Sequence, residues 1–329
     1  DDLLQKLAGL TATGNILPPP SILAYRIHLS SGAGDIVVVE TQPSRLPPVR
    51  YKGRIWIRRG PVKGIAHEAD ERLLIERRTA AALTFDAQPC VGSNLHDLSV
   101  DLFTQSYRAL AIDAETIAEN HRPIEQQLAS LRFFDLKHNC PTYAGIVLFG
   151  KNPLHWLPNA YVQYVRFDGL ALSDDVTSEI RFDGSLLNVI REMNGFVKMI
   201  ERRRPIAVSP LEEAAVSDYP EAALREFLMN AVLHRAYDAP APVRFYQYSD
   251  RIEIHNPGQL YGEAREENFP TQTSYRNPIL AEAMRTLGAI NRFGRGVERA
   301  RSALAKNGSP PPHFIFGETH FGVTIKVRP

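Results

Sequence analysis

The chain has 329 residues, 44% of them hydrophobic and 23% charged, with a formal net charge of +1. That length accommodates about two domains with their own cores, and the composition is that of a globular protein rather than a disordered one. There is no run of roughly 18 apolar residues to span a membrane, no basic-then-apolar leader, and only two distant cysteines, Cys90 and Cys140, so the expectation is a reduced, cytoplasmic protein.

In chain order, residues 1–80 read as mixed α/β. A short helix over 1–10 precedes strands at 24–28 and 35–40, the second being the β-branched run "DIVVVE". A proline-rich connection, "QPSRLPP" (42–48), leads into "VRYKGRIWIRR" (49–59), which alternates as one strand. A helix over 67–78 follows, with its basic end at the C-terminus. The span from Thr41 to Ala66 holds seven Arg or Lys residues and no Asp or Glu, which predicts a local basic surface. On a single strand, Arg50, Lys52, Arg54, Trp56 and Arg58 share one face. Cations around an indole suit phosphates and a stacked base, with an ordinary solvated sheet face as the alternative.

Residues 81–140 read as a helical connector. Strands are expected at "AGIVLFG" (144–150) and "AYVQYVRFDG" (160–169), then a long helix over 185–204. Pro205 and Pro210 mark a boundary. The expected division is 1–80, 81–205 and 206–329.

Beyond it come a helix over 219–236, strands at 242–248 and 251–255, an irregular stretch, two helices and a strand at 323–328. Asp218 is the expected cap of the first helix, with Pro220 and Glu221 in its first turn. Glu226, Asn230 and His234 recur every four residues and fall within about 80° of one another on the helical wheel. The stripe either faces water or lines a site. Asn is a poor helix former that solvent-facing positions seldom carry, and Met229 and Leu233 rim the stripe. An amide oxygen there can stand beside Mg²⁺, and a carboxylate one turn away can take a proton from water. Downstream, Asn256 and Gly258 end a strand in Asn-Pro-Gly. Gly294 and Gly296 open a helix whose free N–H groups suit phosphate, and Gly322 and Thr324 begin the last strand.

This series resembles the nucleotide-binding fold of gyrase, histidine kinases and MutL, the GHKL family. The resemblance implies that Glu226 positions water, Asn230 binds Mg²⁺, and Asn256 with Gly258 meets adenine. Gly294, Gly296 and Thr324 complete the ATP site, with His234 and Arg276 beside it, and residues 259–293 form a lid. More closely, "PPVRYKGRIWIRRG", "TYAGIVLFGKNP", "NAVLHRAY", "RIEIHNPG" and "RNPILAEAMRTLGAINRFGRGVERA" resemble proteins joining a Schlafen AlbA-type domain to a RecG-like, GHKL-type C-terminal half.

What the resemblance implies is an α/β (α+β) protein: a partial AlbA-type domain, a middle region and a C-terminal GHKL-like sandwich. It implies a regulator of transcription, binding ATP and Mg²⁺, holding nucleic acid (DNA ahead of RNA), dimeric, and at most a weak ATPase; that no membrane is bound is expected from the lack of a long apolar run. Asn256 stands where GHKL ATPases usually carry Asp, and Ala236 where the closer family reads His-Arg-Asp-Tyr. Both departures bear on hydrolysis more than on binding. A scaffold with a degenerate pocket and a Schlafen-type nuclease are the competing readings.

Overall fold

The computed structural model describes residues 16–17, 20, 22–28, 34–41, 44, 48–68, 70–71, 74, 83–119, 121–201, 203–209, 212–262, 264–271, 274–290 and 295–329. The helix expected at 1–10, most of that at 67–78, and Gly294 lie outside them. The chain divides into two units, Asp1–Leu83 and Thr84–Pro329. No helix among the described residues is long and apolar enough to cross a membrane.

In the first unit, β1 (Ile16–Leu17), β4 (Arg50–Tyr51), β5 (Arg54–Arg59) and β6 (Val62–Ile65) form one sheet in the order β1-β4-β5-β6, and β2 (Ile22–His28) pairs with β3 (Asp35–Thr41). The expected single strand over 49–59 is instead a hairpin. Lys52 and Gly53 both have positive φ (49° and 77°), as the two central residues of a type I′ turn require. The turn resets the faces. Tyr51 lies opposite Arg54 and Arg50 opposite Ile55, so Arg50 leaves the face that Arg54, Trp56 and Arg58 share, and Lys52 sits in the turn.

The second unit is built on a six-stranded sheet in the order β10-β9-β13-β14-β16-β15. Its strands are β9 (Val162–Phe167), β10 (Val176–Phe182), β13 (Val243–Gln247), β14 (Arg251–Pro257), β15 (His313–Phe316) and β16 (His320–Lys326). Only the β9–β13 pairing is parallel; the rest are antiparallel. The fold is mixed α/β, as the sequence predicts. Strands from both sides of residue 205 share this sheet, and Pro205 itself lies in β11 (Arg203–Ser209), which pairs with β12 (Glu212–Ser217).

"AGIVLFG" is not a strand but the core of helix α1 (Tyr143–Phe149). It follows the small β7–β8 pair (Phe134–Asp135 and Cys140–Pro141). The Thr142 hydroxyl caps it, accepting from the Gly145 N–H at 3.2 Å, and every residue from Ala144 to Phe149 is buried. A short continuous apolar run does not separate a buried strand from a buried helix; the cap and the surroundings decide. Helix α2 (Leu186–Ile200) stops short of the expected residue 204, and Arg203 and Arg204 are strand residues.

Helix α3 (Glu221–His234) packs on β14 between α2 and the late helix α5 (Gly296–Asn307), and α4 (Pro278–Thr286) runs nearby. Its cap residue is Pro220 without a side-chain bond, not Asp218. Beyond α3, Asn277 donates to the carbonyls of Leu233 and Arg235 at 2.8 and 2.9 Å, satisfying carbonyls a helix end leaves free. Asp86 receives the N–H groups of Ile279 and Leu280 at 2.7 and 3.1 Å and so caps α4. Burial pushes its carboxyl above the usual range, although these bonds oppose the shift.

Candidate nucleotide site

Helix α3 is buried on nearly every side, with Ala223, Leu224, Phe227, Leu228, Met229, Ala231, Val232 and Leu233 all inside. Its polar stripe does not face bulk water. Glu226, Asn230 and His234 line a single cavity of about 130 Å³. The sheet supplies the opposite wall through Ile254, Asn256, Phe321 and Val323, and the stretch after β14 contributes Tyr261, Phe269 and Tyr275. The mixture of aromatic and aliphatic walls with a few convergent polar groups is that of a small-molecule site.

Glu226 is 7% exposed. Its Oε1 lies 3.3 Å from the Arg299 guanidinium, on the first turns of α5. Its Oε2 lies against Gly296: a Cβ there would stand 2.4 Å from that oxygen and 3.5 Å from the Asn230 amide nitrogen. Gly296 therefore lets the start of α5 approach the stripe closely. The N-cap residue of that helix, Arg295, makes no side-chain cap bond among the described residues, and the positive end of a helix dipole favours anions.

His234 stacks on Tyr275, with ring centroids 5.5 Å apart and planes 12° from parallel. Burial, and then the nearby Arg276 guanidinium, lower its pKa to about 4. The imidazole is thus neutral at pH 7 and presents one donor and one acceptor.

Asn256 is 3% exposed, and its Oδ1 has no hydrogen-bond partner among the described residues. Such an orphaned acceptor is unusual in a folded protein and points to a missing donor. The strand register explains its direction. Asn256 and Ile254 stand opposite Phe321 and Val323, and directly opposed residues share a face.

The same register removes Thr324 from the cavity. It pairs with Glu253, and alternation turns both to the other face of the sheet. Gly258 is not in the cavity wall; it has φ 104°, and a Cβ there would be 3.2 Å from the Ala236 Cβ and N. The small side chain at 236 accommodates this turn, and the Ala236 N–H donates to the Pro257 carbonyl at 2.7 Å. Arg276 is not in the cavity wall. It donates to the Gln259 carbonyl at 3.0 Å and lies over the Tyr261 ring at 4.8 Å, pinning residues 259–261.

Sequence reasoning missed Arg299, although its place one turn after Gly296 in "GRGVERA" was a signal. It also missed the aromatic wall of Phe269, Phe314 and Phe321, whose members come from a loop and two strands with no common period.

In the first unit, Arg54, Trp56 and Arg58 remain together. The register adds Lys63, opposite Arg58, with its ammonium 4.5 Å over the Trp56 ring. Among the described residues of β4–β6, this face carries cations and no carboxylate.

Residues 241–325 match a family model described as "Putative ATP-dependent DNA helicase recG C-terminal". The C-terminal region is therefore RecG-like and of ATPase type. The match includes Asn256 and Gly296 but begins after α3. The crystal structure of the DIP2311 protein from Corynebacterium diphtheriae is similar over 96% of this chain, at 19% identity and a TM-score of 0.58. At that identity the likeness is one of fold, and the alignment takes in 61% of the DIP2311 chain. No curated protein matches the chain.

Proposed function

We propose that the C-terminal region binds ATP with Mg²⁺ in the cavity beside α3, and that the chain is a nucleotide-responsive regulator of the Schlafen AlbA type whose N-terminal unit holds nucleic acid. The observation that carries the nucleotide reading is the meeting of the Glu226–Asn230–His234 stripe with the unpartnered amide oxygen of Asn256 across one cavity. The residues fit the ligand. The apolar wall suits a nucleobase, the Asn256 Oδ1 lacks a donor among the described residues, and the dipole at the start of α5 favours phosphate. Among the described residues no group of three or more His, Cys, Asp or Glu is placed to hold a metal. Mg²⁺ would be held by the Asn230 amide oxygen, which the family resemblance assigns to it and which lines the cavity, together with phosphate and water, the oxygen-rich shell this ion favours. Bound there, it would neutralise phosphate charge. Glu226 is the group available to take a proton from water, and its ion pair with Arg299 favours slow turnover at most.

The RecG-like, ATPase-type match supports nucleotide binding. The Arg54–Trp56–Arg58–Lys63 face supports the nucleic-acid half of the reading, with DNA ahead of RNA. Gln259, Tyr261, Ala264, Phe269 and Tyr275 line the cavity, so nucleotide would order the 259–293 lid and through it bias dimerisation of a cytoplasmic transcriptional regulator.

Calorimetric titration with a non-hydrolysable ATP analogue, with and without Mg²⁺, tests the reading. Binding that requires Mg²⁺ and is lost in Asn230→Ala is the expected result. No binding by folded wild-type protein would reject it.

A further inference from the structure

The polar group that β14 contributes to the cavity wall is an amide, not a carboxylate. Asn256 stands near the end of β14 with its Oδ1 unpartnered among the described residues, and its neighbours in the wall (Ile254, Phe321 and Val323) have no polar side-chain atoms to fix the amide plane. A carboxamide carries an acceptor on one side and a donor on the other. The last torsion of Asn is broad and roughly two-fold, so exchanging the two costs little.

We infer that the cavity accepts 6-oxopurine nucleotides as well as ATP. This rests on the nucleotide reading above and names its base selectivity. Asn256 meets a 6-amino group with its oxygen, or, turned by half a rotation, meets a 6-oxo group with its N–H. An ionised carboxylate at this position accepts only, and would face a 6-oxo group with like polarity. Sites reject an analogue strongly when a buried polar group is left unpaired by it, and Asn256 pairs with either.

The test is titration of wild type and Asn256→Asp with ATP and with inosine triphosphate, each with Mg²⁺. Inosine triphosphate has a 6-oxo group and no 2-amino group, so it leaves room at position 2 unchanged. For the wild type the expected affinities lie within tenfold of each other. For Asn256→Asp the expected result is retained ATP binding with inosine triphosphate more than tenfold weaker. Wild type that binds ATP but takes inosine triphosphate more than tenfold more weakly overturns this inference and leaves the ATP site standing. If the folded wild type binds neither nucleotide, the nucleotide reading falls and base selectivity with it.

Discussion

Gly296 packs so closely on Glu226 that a methyl group in place of its hydrogen would lie 2.4 Å from the carboxylate Oε2. The oxygen ends a side chain, but that side chain is buried and paired with Arg299. Gly296→Ala should therefore displace Glu226 rather than unfold the protein, costing about 1 kcal/mol or less. It should weaken Mg²⁺–nucleotide binding at least tenfold. Paired urea and calorimetric titrations would show the two effects; a large stability loss with unchanged binding would mean the contact only packs α5.

Two other glycines in helices bracket this case. At Gly145 in α1 a Cβ would stand 2.2 Å from the backbone oxygen of Phe133, which cannot swing away, whereas at Gly195 in α2 nothing lies within 4 Å. Gly145→Ala should cost about 2–4 kcal/mol through overpacking. Gly195→Ala should gain up to about 1 kcal/mol from helix propensity. A urea midpoint that does not fall for Gly145→Ala would contradict the packing of α1.

His234 makes stability depend on pH. Its folded pKa of about 4 lies below the roughly 6.5 of an unfolded histidine, so between these values only the unfolded chain takes up the proton. Its contribution is fully present above about pH 6.5 and is lost as pH falls toward 4. The loss reaches up to about 3 kcal/mol. Denaturation free energies of wild type and His234→Gln at pH 7.5, 5.5 and 4.5 should converge as the pH falls; parallel curves would show that the ring is not held neutral.

Arg235 is 2% exposed and donates to the carbonyls of Asn159, Tyr161 and Ala241 at 2.8–3.2 Å. Burial lowers its pKa. Replacing it by Met fills much of the volume but removes three part-buried hydrogen bonds; the Tyr161 and Asn159 carbonyls keep the N–H groups of Val243 and Tyr161, and the Ala241 carbonyl loses its Arg235 donor, a loss of about 1–3 kcal/mol. Arg235→Lys should recover only part of this, because one ammonium cannot match the spread guanidinium. Thermal unfolding of both variants gives the comparison, and a Lys variant as stable as wild type would show that charge alone matters.

The hairpin face gives a prediction about salt. If Arg54, Arg58 and Lys63 contact phosphates, neutralising any one should reduce the slope of log affinity against log salt by roughly 1. Trp56→Ala should instead weaken single-strand binding by about 1–3 kcal/mol with the slope unchanged. Slopes that stay constant across all three cation variants would exclude this face as the contact surface.

Much of the C-terminal region was legible before any coordinates. The four-residue interval of Glu226, Asn230 and His234 is a helical period, so their common face followed from backbone geometry, and Gly296 was recognisable as a helix opening. The division between strand and helix was not legible at 144–150, where an unbroken apolar run suits either and a Thr142 cap against the Phe133 backbone settles the matter.

Local chemistry along the chain thus determined which residues share an element: the polar stripe, the alternating cations, the apolar runs. Only the tertiary structure decided which elements face one another. Thr324 and Arg50 fell on unexpected faces because one residue of register, or one two-residue turn, inverts a strand's side chains. Arg299 reached Glu226, and Asn256 reached the cavity without a partner, through pairings between segments distant in sequence. Such pairings are fixed by the collective burial of the sheet and helices, which no local spacing encodes.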